Sequence, residues 1–393
     1  MPFAPNAFHR LLEPLDRRVL KQIVERHEGN HGVGEGPKAW TCQRHLKAML
    51  FGQLAGLCSL REIEQGLAAA PKALYHLNLR MAPRSTLSDA QNHRPAEVFR
   101  DICQWLMARL NRTLRCEGEA FIQLIDATPI PLKDERFEWA EKSARTRGLK
   151  LHVGYDPRRD VTSWVDVTSA KVNDISAAHA MPLVAGTVYI FDKGYLDYSW
   201  WNAIHQQQAL FVSRLKSNTH RRKVRPRCAE GEGILADNDI KVGHAKPRGG
   251  AVNPLYDVPL REIIVERDGK PPLRLITNDL IRPAIEVAAL YKERWQVELL
   301  FKWIKQNLKI RRFLGRSENA VKSQIYIALI AFLLLRLFRQ THASSYAQSA
   351  KALMARLKVA LFGTFNLINR AAGPPRHPSQ LPPPSQLALN LAV

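Results

Sequence analysis

FIQLID at residues 121–126 and VYIFD at residues 188–192 decide how this chain folds. Each is a short β-rich run that closes on an aspartate. Between them lie LKLHVGY at 149–155 and VTSWVDV at 161–167, divided by turn residues, and then a stretch long enough for a helix. A helix pattern over 197–208 and a fifth run, ALFVSRL at 209–215, follow. Five strands with interposed helices predict an α/β layer. If the first and fourth strands are neighbours, Asp126 and Asp192 end them at one edge of the sheet.

Upstream, residues 1–118 read as helices. Apolar residues at 46, 49, 50, 54, 57 and 60 recur near a 3.6-residue period, Ser59 with Glu62 forms a capping box, and another helix spans 96–114. The glycines at 32, 34 and 36 stand in a polar loop without the flanking strand and helix of a phosphate cradle, so they predict a linker. Downstream, KSNTHRRKVRPR at 216–227 holds six Lys or Arg and no acid. It opens a β-rich stretch to residue 280 that includes a hairpin turning at Asp268-Gly269. Helical periodicity returns over 284–309 and 319–339, and GPPRHPSQLPPPSQ at 373–386 predicts a disordered tail.

The 393 residues are 46% hydrophobic, which excludes a mainly disordered chain. A net charge of +22 favours a polyanionic partner, because each phosphate neutralised releases counterions. Nucleic acid fits better than a membrane: the apolar run 325–335 is shorter than the ~20 residues that span a bilayer, and it predicts a core helix. The first 30 residues carry no continuous apolar stretch, so a cytoplasmic protein is expected. The five cysteines lack a C-x2-C pair and predict buried free thiols.

A third carboxylate lies in YKERWQVELLFKWIKQNLK, residues 291–309, where Tyr291, Arg294, Glu298 and Lys305 recur as Y-x2-R-x3-E-x6-K. At ~100° per residue the four fall within roughly 60° of one another on a helix. Such a mixed polar face reads as a working surface. The alternative is a solvated helix in which Arg294 and Glu298 form an ordinary i,i+4 pair. Trp295 and Trp303 on the same helix are expected in the core rather than as base-stacking platforms.

That spacing resembles the signature of the insertion-sequence DDE transposases marked by a Y-R-E-K motif, a bacterial group. LIDATPIPL around Asp126, GLKLHVGYD, YIFDKGYLDY around Asp192 and FLGRSENAVKSQIYIALIAFLLL are similar to the same family, and so is TCQRHLKAMLFGQLAGLCSLREIE near the N-terminus. The resemblance covers residues 40–340 and shows no departure at Tyr291, Arg294, Glu298, Lys305, Asp126 or Asp192. It implies a helical N-terminal DNA-binding domain at 1–118, a ribonuclease H-like core at 119–215 and 281–340, and a basic β-rich insertion at 216–280; the C-terminal helix and Pro-rich tail at 341–393 have no counterpart in it.

The resemblance further implies that Asp126, Asp192 and Glu298 are catalytic and bind two Mg2+ ions, with Mn2+ as a substitute. Asp126 would bridge the metals, and Tyr291, Arg294 and Lys305 would contact the transposon end. The implied partner is double-stranded DNA, as terminal inverted repeats and target, held by a homodimer at the bacterial nucleoid. The implied reaction is cut-and-paste: nicking, a hairpin step, and joining to target. Two other readings stay open, a ribonuclease H-like nuclease without strand transfer and an inactive DNA-binding regulator.

Overall fold

The computed structural model describes residues 6–114, 121–132, 135–143, 146–246, 251–308, 312–341 and short pieces between 353 and 362; the Pro-rich tail and Cys116 lie outside these residues. The N-terminal part is helical: α1 (Ala7–Leu12), α2 (Arg17–Arg26), α3 (Cys42–Ala55), α4 (Leu60–Ala68), α5 (Pro71–His76), α6 (Arg84–His93) and α7 (Ala96–Leu114). Local chemistry sets the boundaries. The Thr41 side chain caps α3, and Gly56, at φ 77°, ends it in the left-handed region that favours glycine. The Ser59 hydroxyl then accepts the Glu62 N–H at 3.1 Å. The return bond from the Glu62 carboxylate lands on the N–H of Cys58 at 2.6 Å, one residue earlier than in a standard capping box. The glycines at 32, 34 and 36 lie in a loop.

Ten strands follow among the described residues: β1 (Ile122–Pro131), β2 (Glu141–Ser143), β3 (Thr146–Asp156), β4 (Val161–Ser169), β5 (Val188–Phe191), β6 (Leu210–Arg214), β7 (Arg221–Pro226), β8 (Ile234–Val242), β9 (Leu260–Val265) and β10 (Leu273–Thr277). They form one sheet in the order β2-β3-β1-β5-β6-β10-β9-β8-β7, with β4 also paired to β3. In β4-β3-β1-β5-β6, β3 runs antiparallel to β1 while β5 and β6 run parallel to it. This is the ribonuclease H-like arrangement. The insertion continues the sheet, since β10 pairs antiparallel with β6. Its hairpin between β9 and β10 turns at Gly269, φ 62°.

Alternation along the strands builds two cores. Leu124, Val188, Ile190, Val212 and Leu275 face one side, against the N-terminal helices and α10 (Ala284–Glu293), α11 (Trp295–Asn307) and α12 (Glu318–Thr341). Ile125, Tyr189, Phe191, Phe211 and Ile276 face the other, against α8 (Asp174–His179) and α9 (Tyr198–Gln206). Each of these buried side chains contributes roughly 1.5–3 kcal/mol. Because the side-chain period is two, this packing also fixes which way the flanking polar residues point.

α12 is long and apolar enough, as a whole helix, to cross a membrane, yet residues 325–335 are buried inside the protein. It is the core helix that the sequence predicts. The basic run at 216–227 is partly a strand: β7 forms the sheet edge and leaves most of its side chains in solvent. Cys42 and Cys103 are buried as expected, whereas Cys58 is half-buried and Cys228 is exposed, on a stretch outside any packed element.

Candidate active site

β1 and β5 pair side by side, and their last shared rung is Ile125 with Phe191. β5 stops there because the Asp192 carbonyl accepts the Tyr195 N–H and starts a single helical turn, over a layer of Phe191, Tyr195 and Trp200 rings. β1 does not stop. Asp126 was expected at a strand end but lies inside β1, opposite Val153 of β3, because antiparallel pairing carries the strand on to Pro131. Asp126 and Asp192 nevertheless occupy the next positions beyond the shared rung. Both follow the parity of Leu124 and Ile190, so both point to the face covered by α11.

The predicted helix over 284–309 is two helices, with Lys309 outside the described residues. They join at Arg294, where tight i to i+3 bonds run from the Arg294 N–H to the Tyr291 carbonyl and from the Val297 N–H to the Arg294 carbonyl. The joint lays three signature residues against the aspartates. The buried Tyr291 hydroxyl donates to Asp192 Oδ1 at 3.3 Å. Arg294 donates from Nη2 to Glu298 Oε1 at 2.9 Å, and its Nη1 stands 3.7 Å from Asp126 Oδ2. Lys305 is half-buried on α11, two turns and about 10 Å of axial rise beyond Glu298.

The electrostatics follow from this crowding. Burial pushes the Asp126 carboxyl up to about 6; the Ala127 N–H and the Arg294 charge oppose the shift, and Glu298 and Asp174 reinforce it. Burial and then the Asp192 charge raise the Tyr291 phenol to about 12, which keeps it a hydrogen-bond donor. For Arg294 burial works downward, but the Glu298 hydrogen bond and the surrounding negative groups outweigh it and hold the guanidinium above its ordinary value.

Sequence reading missed Arg214. Phe191 pairs with Ser213, so Asp126, Asp192 and Arg214 are the next residues in a row across β1, β5 and β6. Arg214 is half-buried, and its charge reaches Tyr291. Parity with Val212 was the available signal. Trp295 is a correction: expected in the core, it is 58% exposed, because Val297, Leu300 and Phe301 supply the buried side of α11. Trp303 does pack inward, 5.0 Å from the Phe332 ring.

The transposase DDE domain family matches residues 118–334, more than half of the chain and all of the sheet just described. The chain belongs to this family. A protein named as a transposase from Sinorhizobium fredii is 46% identical over 254 residues, 64% of this chain and 70% of the relative. A transposase named for an insertion sequence element of Geobacillus stearothermophilus is 25% identical over 347 residues, 86% of this chain and 85% of the relative. Residues 5–80 of the transposase match a second family, a domain of unknown function. A solved piggyBac transposase synaptic complex with hairpin DNA aligns with 95% of this chain and 83% of its own at 11% identity, with a TM-score of 0.46, too distant to carry detail across. The protein is therefore a bacterial insertion-sequence DDE transposase, an enzyme that acts on DNA.

Proposed function

We propose that this transposase cuts the ends of its own insertion sequence and joins them to target DNA, with Asp126, Asp192 and Glu298 as the catalytic carboxylates. The observation that carries the reading is the docking of Tyr291 and Arg294 onto both strand aspartates and Glu298 at once. An isolated, solvated i,i+4 pair would not reach two strands.

The donor set suits divalent cations. Three carboxylates from three elements offer only oxygen, which hard cations such as Mg2+ prefer, and Mn2+ accepts the same ligands. Among the described residues no three such groups are close enough to enclose a metal as they stand; the Arg294 guanidinium spans Asp126 and Glu298. Asp126, Asp192 and Glu298 would hold the ions, which supply positive charge for the phosphodiester transition state and acidify the attacking hydroxyl or water.

The rest is done by the chain's own side chains. Tyr291 fixes one oxygen of Asp192 and thereby aims the other. Arg294 holds Asp126 and Glu298 together, and its five donors leave it able to fork onto a phosphate when DNA arrives. Lys305, Arg214 and the exposed cations of β7 hold the backbone. Trp295 presents an aromatic face beside Glu298 on which an unpaired base can stack. Two copies pair the two ends, as a homodimer within the Y-R-E-K group.

The test is incubation of the purified protein with Mg2+ and a supercoiled plasmid carrying both element ends. Excised and joined products are expected. Cut ends that never join would support the plain nuclease, and binding without cleavage the regulator.

A further inference from the structure

A transposase that cuts its own ends must find them, and the cations placed beside the carboxylates grip the phosphate backbone, which carries no sequence information. The N-terminal helices offer one surface that can. α6 packs against α3, α4 and α12 through Leu87, Ala90 and Gln91, all buried. At ~100° per residue, Arg84, Ser85, Ser88, Asp89 and Asn92 share the opposite side, an arc of roughly 140°. Arg84, Ser85, Asp89 and Asn92 are exposed, Ser88 is half-exposed, and this arc holds no apolar residue.

The chemistry of that arc matches base edges. Arg pairs with guanine, Asn with adenine, Asp accepts from cytosine, and Ser serves either donor or acceptor. Asn92 is engaged at the rim, where its Oδ1 accepts from the Ser317 hydroxyl at 2.8 Å. The segment leading into α6 supplies backbone contacts: residues 71–93 contain Lys72, Arg80 and Arg84 against a single acid, Asp89, and Lys72, Arg80 and Arg84 are all exposed. Tyr75 and Met81 on the same segment are 83% and 57% exposed, so they are free to pack against sugar and base when DNA lies on this surface. A ten-residue helix, about 15 Å long, suits a major groove about 12 Å wide.

α6 is also tied to the catalytic part. The Asn319 side chain, in the first turn of α12, donates to the carbonyls of Gln91, Asn92 and Arg94, and accepts the Ala96 N–H at 2.9 Å. The Gln91 amide reaches Met49 of α3 at 3.2 Å. A helix held this way has a fixed distance to the carboxylates, as a reader that sets the cut position requires.

We propose that α6 is the helix that reads the terminal-repeat sequence of duplex DNA in the major groove, with Arg84, Ser85, Ser88 and Asp89 as the base-edge contacts. The proposal rests on the transposase reading above and adds the specificity surface. The test uses the full chain and duplexes cut from the two element ends, with each base pair randomised in turn and bound molecules sequenced. Arg84→Ala is expected to flatten the preference at one position at least fivefold, and Asp89→Asn to change the preferred pair at another. A changed preference is something a misfolded variant cannot produce. Preferences identical to wild type in both variants would overturn the proposal. A wild type that prefers no sequence at any position would overturn the transposase reading itself, and this assignment with it.

Discussion

One guanidinium joins carboxylates from two separate elements: Arg294 bonds Glu298 at 2.9 Å and stands 3.7 Å from Asp126. It offsets the repulsion that these groups exert on one another in the metal-free protein. Arg294→Ala should therefore cost about 1 kcal/mol of stability without metal, the scale of a partly exposed pair. Added Mg2+ should then raise Tm by more in the variant than in wild type, because the cation replaces the lost charge. An equal or smaller shift, read in parallel thermal melts, would contradict this role.

Asp126 carries a pH signature. Its folded-state pKa, about 6, lies above the ordinary 3.8, so the folded state binds more protons between the two values. Stability is lost as the pH rises through that window, by about 3 kcal/mol once the carboxyl is fully ionised. Asp126→Asn should thus stabilise the metal-free protein at pH 7 and bring little change near pH 4. Chemical denaturation at both pH values checks it, and a gain that does not depend on pH would refute the burial argument.

The Tyr291 hydroxyl makes one long hydrogen bond to Asp192, at 3.3 Å. Losing it should cost about 1 kcal/mol. Tyr291→Phe is expected to slow single-turnover nicking roughly fivefold and to leave Mg2+ dependence intact. A loss as deep as that of Asp192→Ala would mean that the phenol does more than aim a carboxylate.

Trp295, more than half exposed, should contribute little to folding. Trp295→Ala is expected to melt like wild type. With 2-aminopurine placed beside the cut, wild type should quench the unpaired base and the variant should not, since stacking contributes about 1–3 kcal/mol per base. Equal quenching would remove the stacking role.

Much of this was legible from local patterns. VYIFD reads as a short β-rich strand closing on an aspartate, and all four residues of β5 are buried, as a continuous apolar run requires. The Y-x2-R-x3-E spacing predicts Tyr291, Arg294 and Glu298 on one side of a single helix; the three do come together beside the strand ends, but across the joint between α10 and α11. What failed depended on partners distant in sequence. Nothing local says that β1 runs past Asp126, because β3 supplies the pairing that extends it. Arg214 has no signature of its own and gains its place only from the β5–β6 register. Trp295 is large and apolar, yet it stays more than half exposed because Val297, Leu300 and Phe301 form the buried side of α11. The insertion was readable as β-rich, whereas its union with the core through β10 and β6 was a long-range pairing that composition does not encode.

The most direct measurement compares wild type with Glu298→Ala on linear DNA bearing one element end, reading binding and Mg2+-dependent strand cleavage in the same samples. Removal of one half-buried carboxylate from α11 should leave binding within about twofold and abolish cleavage. Cleavage by Glu298→Ala at the wild-type rate would contradict the assignment of the three carboxylates as the site where DNA is cut.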